Sequence, residues 1–124
     1  MIDWTPAELA DLDRTDELFV ASDRPDGTRR PEVTIWAVRV GDRAFVRSAH
    51  GPRNGWFHRA STAGTGHVRI GDLDRDVRFR VPEAAIAPEI DRAYHAKYDR
   101  YGARIVNSVV GADVVATTLE LLPD

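Results

Sequence analysis

The chain has 124 residues, of which 43% are hydrophobic and 30% charged, so we expect one domain, residues 1–124, with a packed core and no wholesale disorder. It contains no cysteine, which excludes disulfides, thiolate metal sites and thiol catalysis. The net charge of −3 argues against a nucleic-acid binder, and neither a signal peptide nor an apolar run near the roughly 20 residues of a membrane helix is present, so we expect a cytoplasmic protein without a membrane partner.

Arginine is unevenly distributed along the chain. Residues 24–59 contain eight arginines and three acidic residues, whereas Lys97 is the single lysine of the sequence. Arginine presents a planar fork of donors that suits phosphate and carboxylate oxygens. The segment therefore indicates an anionic partner, and the alternative is that these arginines only solvate strand faces.

The first half of the chain predicts a helix followed by three strands. Residues 5–8, Thr-Pro-Ala-Glu, have the composition of a capped helix start, and the helix extends to about residue 13. Residues 17–21 predict a strand that forms a hairpin with the next one across an Asp-Gly turn. Residues 31–40 carry apolar side chains on both faces, which is typical of a central strand buried on two sides. Residues 44–48 predict the returning strand.

The second half predicts further short strands separated by helices. The regularly spaced tyrosines of its longest helix are interpreted as packing residues. Segment 105–111 has no clear pattern. The predicted elements are a short helix 56–60, a flexible connection 61–66, a strand 67–70, a turn 71–74, an alternating strand 77–81, a helix 88–101 and a last strand 114–122.

Short strands linked by tight turns, with helices that interrupt rather than alternate, favour one fold class. We expect a mainly β protein with an antiparallel barrel and peripheral helices, rather than a doubly wound parallel sheet.

Most catalytic motifs are absent from the sequence. No phosphate-binding Gly-Lys-Ser/Thr loop occurs. The histidines, His50, His58, His67 and His95, never form a metal-binding pair such as His-x-His. Ser48 and His50 stand two residues apart at a strand end, which places them poorly for nucleophilic catalysis. We therefore predict no catalytic side chain and no metal ligand.

Residues 47–59 form the candidate anion site. Ser48 offers a hydroxyl, Arg47 and Arg53 offer charge, and the glycine-containing turn between them allows close approach to backbone amides. A helix that begins near Trp56 would add the donors and the dipole of its amino terminus. Trp56 could wall an aromatic ligand or serve as a structural core residue, and both interpretations stay open.

The order of strands and turns carries a resemblance to a known group. It is similar to the flavin-binding split-barrel group, which includes pyridoxamine-phosphate-oxidase-like and deazaflavin-dependent nitroreductase-like proteins. The resemblance covers about residues 16–82, and the last strand fits less specifically. The matching segments are a basic Gly-containing hairpin at 21–31, a strand at 34–38, a Gly-Asp turn and strand ending in Ser at 41–48, and a Gly-rich basic turn before a Trp-led helix at 51–59.

This resemblance implies an antiparallel split β-barrel that binds FMN or a deazaflavin coenzyme between the two barrels of a homodimer. The hydride chemistry would belong to the cofactor, and the protein would supply binding and orientation. The implied phosphate-binding residues are Arg47, Ser48, Arg53 and Asn54; Thr34, Ile35 and Trp36 would lie along the isoalloxazine ring, and Trp56 would close one edge.

Two functions stay open at this point. The first is a flavin- or deazaflavin-dependent oxidoreductase that acts on a small organic substrate. The alternative is a non-enzymatic module on the same barrel, with no flavin, that binds another anionic small molecule or only dimerises.

Overall fold

The structure, a computed structural model, describes residues 3–49 and 55–124. Within these ranges the chain forms six strands and four α-helices. The strands are β1 Glu17–Ser22, β2 Val33–Val40, β3 Arg43–Arg47, β4 Thr65–Ile70, β5 Leu73–Arg80 and β6 Thr118–Pro123. The helices are α1 Pro6–Arg14, α2 Gly55–Ala63, α3 Ala87–Tyr98 and α4 Ala103–Val106.

The six strands close into a barrel. Their order around the barrel is β1-β2-β3-β6-β5-β4, and every neighbouring pair is antiparallel. β1 and β2 form the predicted hairpin, with Leu18 opposite Ile35. The predicted fold class, mainly β with peripheral helices around an antiparallel barrel, is confirmed. In the described part of the chain, no helix is long and apolar enough to cross a membrane.

α1 begins as its sequence predicts. The Thr5 hydroxyl accepts a hydrogen bond from the Glu8 amide at 3.2 Å, and the Glu8 carboxylate accepts one from the Thr5 amide at 2.8 Å. This reciprocal capping box satisfies two amides that would otherwise lack a helical partner. The helix buries Leu9 and Leu12 in the barrel core, so the cap stabilises a helix that contributes to this core.

β2 is the two-faced strand that its composition predicts. One face contributes Val33, Ile35 and Ala37 to the core inside the barrel. The opposite face contributes Trp36, Val38 and Val40 to a second apolar cluster, which includes residues of α3. Because successive side chains of a strand point to opposite faces, β2 separates the two cores, and its middle residues Ala37 and Val38 are fully buried.

The predicted flexible connection at 61–66 is wrong. α2 continues to Ala63, and β4 begins at Thr65. Gly66 is needed for close packing, because a Cβ at this position would lie 2.3 Å from the Ala21 carbonyl oxygen. The absence of a side chain at Gly66 therefore allows β4 to approach β1.

Other boundaries differ from the predicted ones. β5 begins at Leu73, so the preceding turn is shorter than predicted, and Val81 follows the end of β5 with 68% of its surface exposed. α3 ends at Tyr98, and a short 3₁₀ helix follows before Gly102, whose φ of 103° ends the segment.

The last strand begins at Thr118, four residues later than predicted. The preceding Ala112–Thr117 segment is a 3₁₀ helix. The Thr117 and Thr118 hydroxyls donate to the Val114 carbonyl at 3.3 Å and 2.8 Å. These local side-chain bonds favour a helical turn over a strand, although the residue pattern alternates.

Candidate ligand-binding cleft

A cleft opens where β3 diverges from β2. Residues 33–36 of β2 pair with β1, whereas pairing with β3 begins at Ala37. β3 continues along β6, with Arg47 opposite Thr118. Among the strands that the structure describes, none pairs with the other edge of residues 33–36. Of the backbone groups in this stretch, the Trp36 carbonyl accepts a hydrogen bond from the Tyr94 hydroxyl at 3.5 Å, so a ligand at this edge would bond to the other backbone groups.

The cleft brings together five of the eight residues predicted to bind the cofactor. It has a volume of about 300 Å³ and is walled mainly by aromatic and aliphatic side chains. A size of this order is at the small end of ligand-binding pockets. The five residues are Thr34, Ile35, Trp36, Arg47 and Trp56.

The wall formed by Trp36 is supported from behind by an aromatic ring. Trp36 and Tyr98 stack with parallel rings, their centroids 3.9 Å apart. The Tyr98 hydroxyl accepts from the Ala37 amide at 3.1 Å and donates to the Asp16 carbonyl at 2.5 Å. Burial raises the pKa of Tyr98 above its ordinary value. The phenol therefore stays neutral and holds α3 against β2.

The single lysine, Lys97, also holds α3 against β2. The Lys97 ammonium donates to the Ala37 carbonyl at 2.7 Å and to the Leu12 carbonyl at 2.5 Å. Burial lowers the pKa of Lys97 to about 8. Lys97 is thus tied to backbone carbonyls of α1 and β2 and is a structural residue in this arrangement.

Arg47 lines the cleft, but its guanidinium is already bonded within the protein. Its side chain is fully buried and forms an ion pair with Asp91 of α3. Nε donates to the Thr118 hydroxyl at 2.9 Å, and Nη1 donates to the Val109 carbonyl at 2.9 Å. The predicted phosphate contact of Arg47 stays a prediction, and it would require the guanidinium to exchange one of these bonds.

The other predicted phosphate ligands lie at or beyond the end of β3. Ser48 is fully buried, and its amide donates to the Thr117 carbonyl at 3.0 Å. Arg53 and Asn54 lie outside the described residues. The roles of all three stay predictions.

Trp56 has features of both interpretations left open by the sequence. It lies in the first turn of α2, belongs to the barrel core and has only 7% of its surface exposed. Its ring meets that of Phe57 edge-on, with centroids 6.2 Å apart. The exposed remainder of Trp56 borders the cleft, so one residue serves core packing and shapes the cleft.

Sequence reasoning missed the wall of the cleft that faces β2. Ile105, Ser108 and Val109 form this wall, and they come from the segment without a clear pattern. Asp91, the partner of Arg47, was missed as well because a pair 44 residues apart leaves no local signal. The packing role predicted for the tyrosines is confirmed for Tyr94 and Tyr98, which are fully buried.

Solved structures share this fold over nearly the whole chain. HutZ, described as a heme storage protein from Vibrio cholerae, matches 99% of this chain and 92% of its own, with a TM-score of 0.65 and 12% identity. An FAD-binding protein from Mesorhizobium loti matches 99% of this chain and 92% of its own, with a TM-score of 0.61 and 14% identity. A protein described as an F420 reductase matches 93% of this chain and 91% of its own, with a TM-score of 0.57 and 16% identity.

At these identities the likeness establishes the fold. The chain has the split-barrel fold of the flavin-binding group that its sequence resembles. A family model described as "Uncharacterized protein conserved in bacteria (DUF2255)" matches residues 8–121, and the chain belongs to this family. None of the curated proteins matches the sequence significantly.

Proposed function

We propose that this protein is a flavin- or deazaflavin-dependent oxidoreductase that acts on a small organic substrate. The observation that carries the proposal is the cleft at the open edge of β2, which is lined by Thr34, Ile35 and Trp36 and also by Trp56. Proteins described as FAD-binding and as an F420 reductase have the same fold, which supports a cofactor of this class.

The residues of the cleft fit a flat tricyclic ring. Trp36 offers an aromatic wall whose orientation is fixed by Tyr98, and Ile35 and Val109 add aliphatic surface. The edge of β2 can offer backbone hydrogen bonds to the polar rim of the ring. A bound flavin would supply hydride transfer, while these side chains would bind it, orient it and exclude water.

The phosphate end of the cofactor would lie toward the segment that follows β3. Ser48, Arg53 and Asn54 are the proposed ligands, together with Arg47 if its internal bonds rearrange. Because Arg47 is committed to Asp91 and to the Val109 carbonyl, Arg53 is the arginine whose charge should matter most for the phosphate.

A homodimer in the cytoplasm is part of the proposal. Ile105 on the wall of the cleft has 51% of its surface exposed, and Tyr101, whose ring lies 5.8 Å from that of Trp36, has 45% exposed. Adjacent exposed apolar side chains are typical of interaction surfaces. A second barrel that covers them would deepen the cleft and bury the cofactor.

A cofactor titration tests the proposal. FMN and F420-type deazaflavin are titrated into the purified protein, and binding is followed by fluorescence quenching. We expect one of them to bind, and we expect Arg53→Glu to weaken binding at least tenfold, while Arg92→Glu, an equal charge change at an exposed position of α3, has little effect. Failure of the wild-type protein to bind either cofactor would contradict the proposal.

HutZ supports a second candidate, a non-enzymatic carrier of an anionic ligand. Its description as a heme storage protein shows that one neighbour in the same fold has a storage role. Heme, which carries two carboxylates, is therefore titrated in parallel. Heme binding without flavin binding would favour the carrier, whereas flavin binding accompanied by substrate reduction would favour the oxidoreductase.

A further inference from the structure

We propose that a groove between the β1–β2 hairpin and α2 binds a phosphate group. The groove has a volume of about 630 Å³. Arg24 and Arg30 line it from the hairpin, and Arg59 lines it from α2. We call this cavity the arginine groove.

The arginines of the groove differ from most others in lacking carboxylate partners. Across residues 3–49 and 55–124, ten arginines form ion pairs with acidic side chains. Three of the five that form none are in the arginine groove. The other two, Arg92 and Arg104, are exposed on separate helices. Unpaired positive charge is therefore concentrated at one place.

Arg30 also has an unsatisfied donor. Its Nε is buried and has no hydrogen-bond acceptor among the described residues. A buried donor without an acceptor destabilises the protein, and such donors are rare in native proteins. Because Arg30 lines the groove, an anion bound there would compensate the charge of its guanidinium.

Arg59 is placed where its charge is unfavourable without an anion. Its guanidinium folds back over Gly55, the first residue of α2, and a Cβ added to Gly55 would lie 2.6 Å from Arg59 Nη1. The amino terminus of a helix carries partial positive charge, so the guanidinium and the helix repel each other there. A bound anion would turn this repulsion into attraction from both groups.

The remaining charges of the groove leave a positive excess. Asp23 also lines the groove, and its carboxylate accepts a hydrogen bond from the Thr65 hydroxyl at 2.8 Å. Arg24 is oriented by bonds from Nη1 to the Thr28 hydroxyl at 3.3 Å and to the Arg29 carbonyl at 3.1 Å. Because a phosphate monoester carries nearly two charges at neutral pH, it matches Arg30 and Arg59 better than a single carboxylate does.

The arginine groove and the cleft at β2 are neighbours, because a third pocket shares lining residues with both. A smaller pocket of about 190 Å³ is lined by Trp56 and Val33, which also line the cleft, and by Arg30 and Arg59. The phosphate could therefore belong to a cofactor that extends past Trp56, which rests on the proposed function, or to a second molecule. Both sources present the same chemistry to the arginines.

Pyrophosphate is the probe for the first experiment. It is titrated by calorimetry at low salt into flavin-free protein, with sodium glutamate as the carboxylate comparison. We expect pyrophosphate to bind more tightly than glutamate. We also expect Arg30→Gln/Arg59→Gln to weaken pyrophosphate binding at least tenfold, whereas Arg92→Gln/Arg104→Gln, which removes the same charge elsewhere, changes it less than twofold.

A further variant tests the geometry without changing the charge. Gly55→Ala suits a helix but displaces the Arg59 guanidinium, so we expect a folded protein that binds pyrophosphate several-fold more weakly. Absence of pyrophosphate binding, tighter binding of glutamate, or equal weakening in the two double variants would overturn the proposal.

The source of the phosphate is decided by repeating the titration with saturating FMN. Loss of pyrophosphate binding would assign the groove to the phosphate of the cofactor, and unchanged binding would assign it to a second ligand; either outcome supports a phosphate site. If FMN does not bind, the flavin proposal is weakened. The titration of flavin-free protein still shows whether the arginine groove binds phosphate.

Discussion

The indole ring of Trp36 lies parallel to the phenol ring of Tyr98, with centroids 3.9 Å apart and ring planes 5° apart. One side chain borders the candidate cleft and the other is fully buried in α3. The Tyr98 hydroxyl is bonded to the backbone of Ala37, the residue at which β2 begins to pair with β3. α3 therefore sets the position of the cleft wall.

Tyr98→Phe tests this link. The change keeps the stacked ring but leaves the Ala37 amide and the Asp16 carbonyl without their partner, so we expect the free energy of unfolding to fall by about 1–3 kcal/mol in urea denaturation. Tyr101→Phe is the control, because its hydroxyl meets Asp16 at an exposed position and its loss should cost less than about 0.5 kcal/mol. Equal losses in the two variants would contradict the role of Tyr98.

Arg47→Met tests whether Arg47 is structural. The variant leaves the partly exposed Asp91 carboxylate without its buried partner, so we expect the free energy of unfolding in urea to fall by about 1.5–3 kcal/mol. Arg92→Met, on the exposed face of α3, should change stability by less than about 0.5 kcal/mol. If Arg47→Met is as stable as the wild-type protein, the internal bonds of Arg47 do not stabilise the fold, and its guanidinium can bind a ligand instead.

Local patterns predicted the parts of the fold that depend on neighbouring residues. The cap at Thr5 and Glu8 and the two apolar faces of β2 follow from adjacent residues and from strand geometry, and both are confirmed. The connection that contains Gly66 was wrongly predicted to be flexible. Glycine is required there because the Ala21 carbonyl, which would contact a Cβ at this position, lies on another strand. Glycine permits both flexibility and close approach, and the sequence alone does not distinguish them.

The candidate site also contains residues that were predicted and contacts that were not. The resemblance brought Thr34, Ile35 and Trp36 into consideration, and the structure places them on one cleft. Tyr98 was predicted to pack, but its contact with Trp36 was not predicted, and neither was the ion pair of Asp91 with Arg47. Both contacts form only when α3 packs on the barrel. Long-range packing of this kind has no signature in a single sequence.

We expect Glu120→Gln to lower the free energy of unfolding at neutral pH and to make it fall less as the pH becomes acidic. Burial opposes ionisation of Glu120, but hydrogen bonds from Arg43 at 2.9 Å and Arg80 at 2.7 Å outweigh burial and hold the pKa of Glu120 below its usual range. A carboxylate with a depressed pKa stabilises the folded state above its unfolded pKa, about 4.3, and this contribution is lost as pH falls through the folded pKa.

The measurement compares urea denaturation at pH 7 and at pH 4. At pH 7 we expect Glu120→Gln to lower the free energy of unfolding by about 1.5–3 kcal/mol, and the difference from wild type should shrink at pH 4. Glu83→Gln is the control: hydrogen bonding to Arg43 also lowers the pKa of Glu83, to about 2, but Glu83 is exposed and its loss should matter less. A larger effect of Glu83→Gln would contradict this interpretation.

Lys97 provides a pH-dependent test of the packing of α3 against α1 and β2. Burial lowers the pKa of Lys97 to about 8, against about 10.4 in an unfolded chain. Between these values the unfolded state binds more protons, so stability should rise as pH increases from 8 to 10. The pKa values of Tyr94 and Tyr98 are raised by burial, so the stability that they contribute is lost only as pH rises above about 10.

Carbon NMR can measure the titration directly because Lys97 is the single lysine of the chain. Its Cε resonance should titrate near pH 8 in the native protein and near pH 10.4 in urea. A parallel urea series should show that Lys97→Met loses the rise in stability between pH 8 and 10. A native midpoint close to the unfolded one would mean that the ammonium is solvated, and the bonds from Lys97 to Leu12 and Ala37 could not then hold α3 in place.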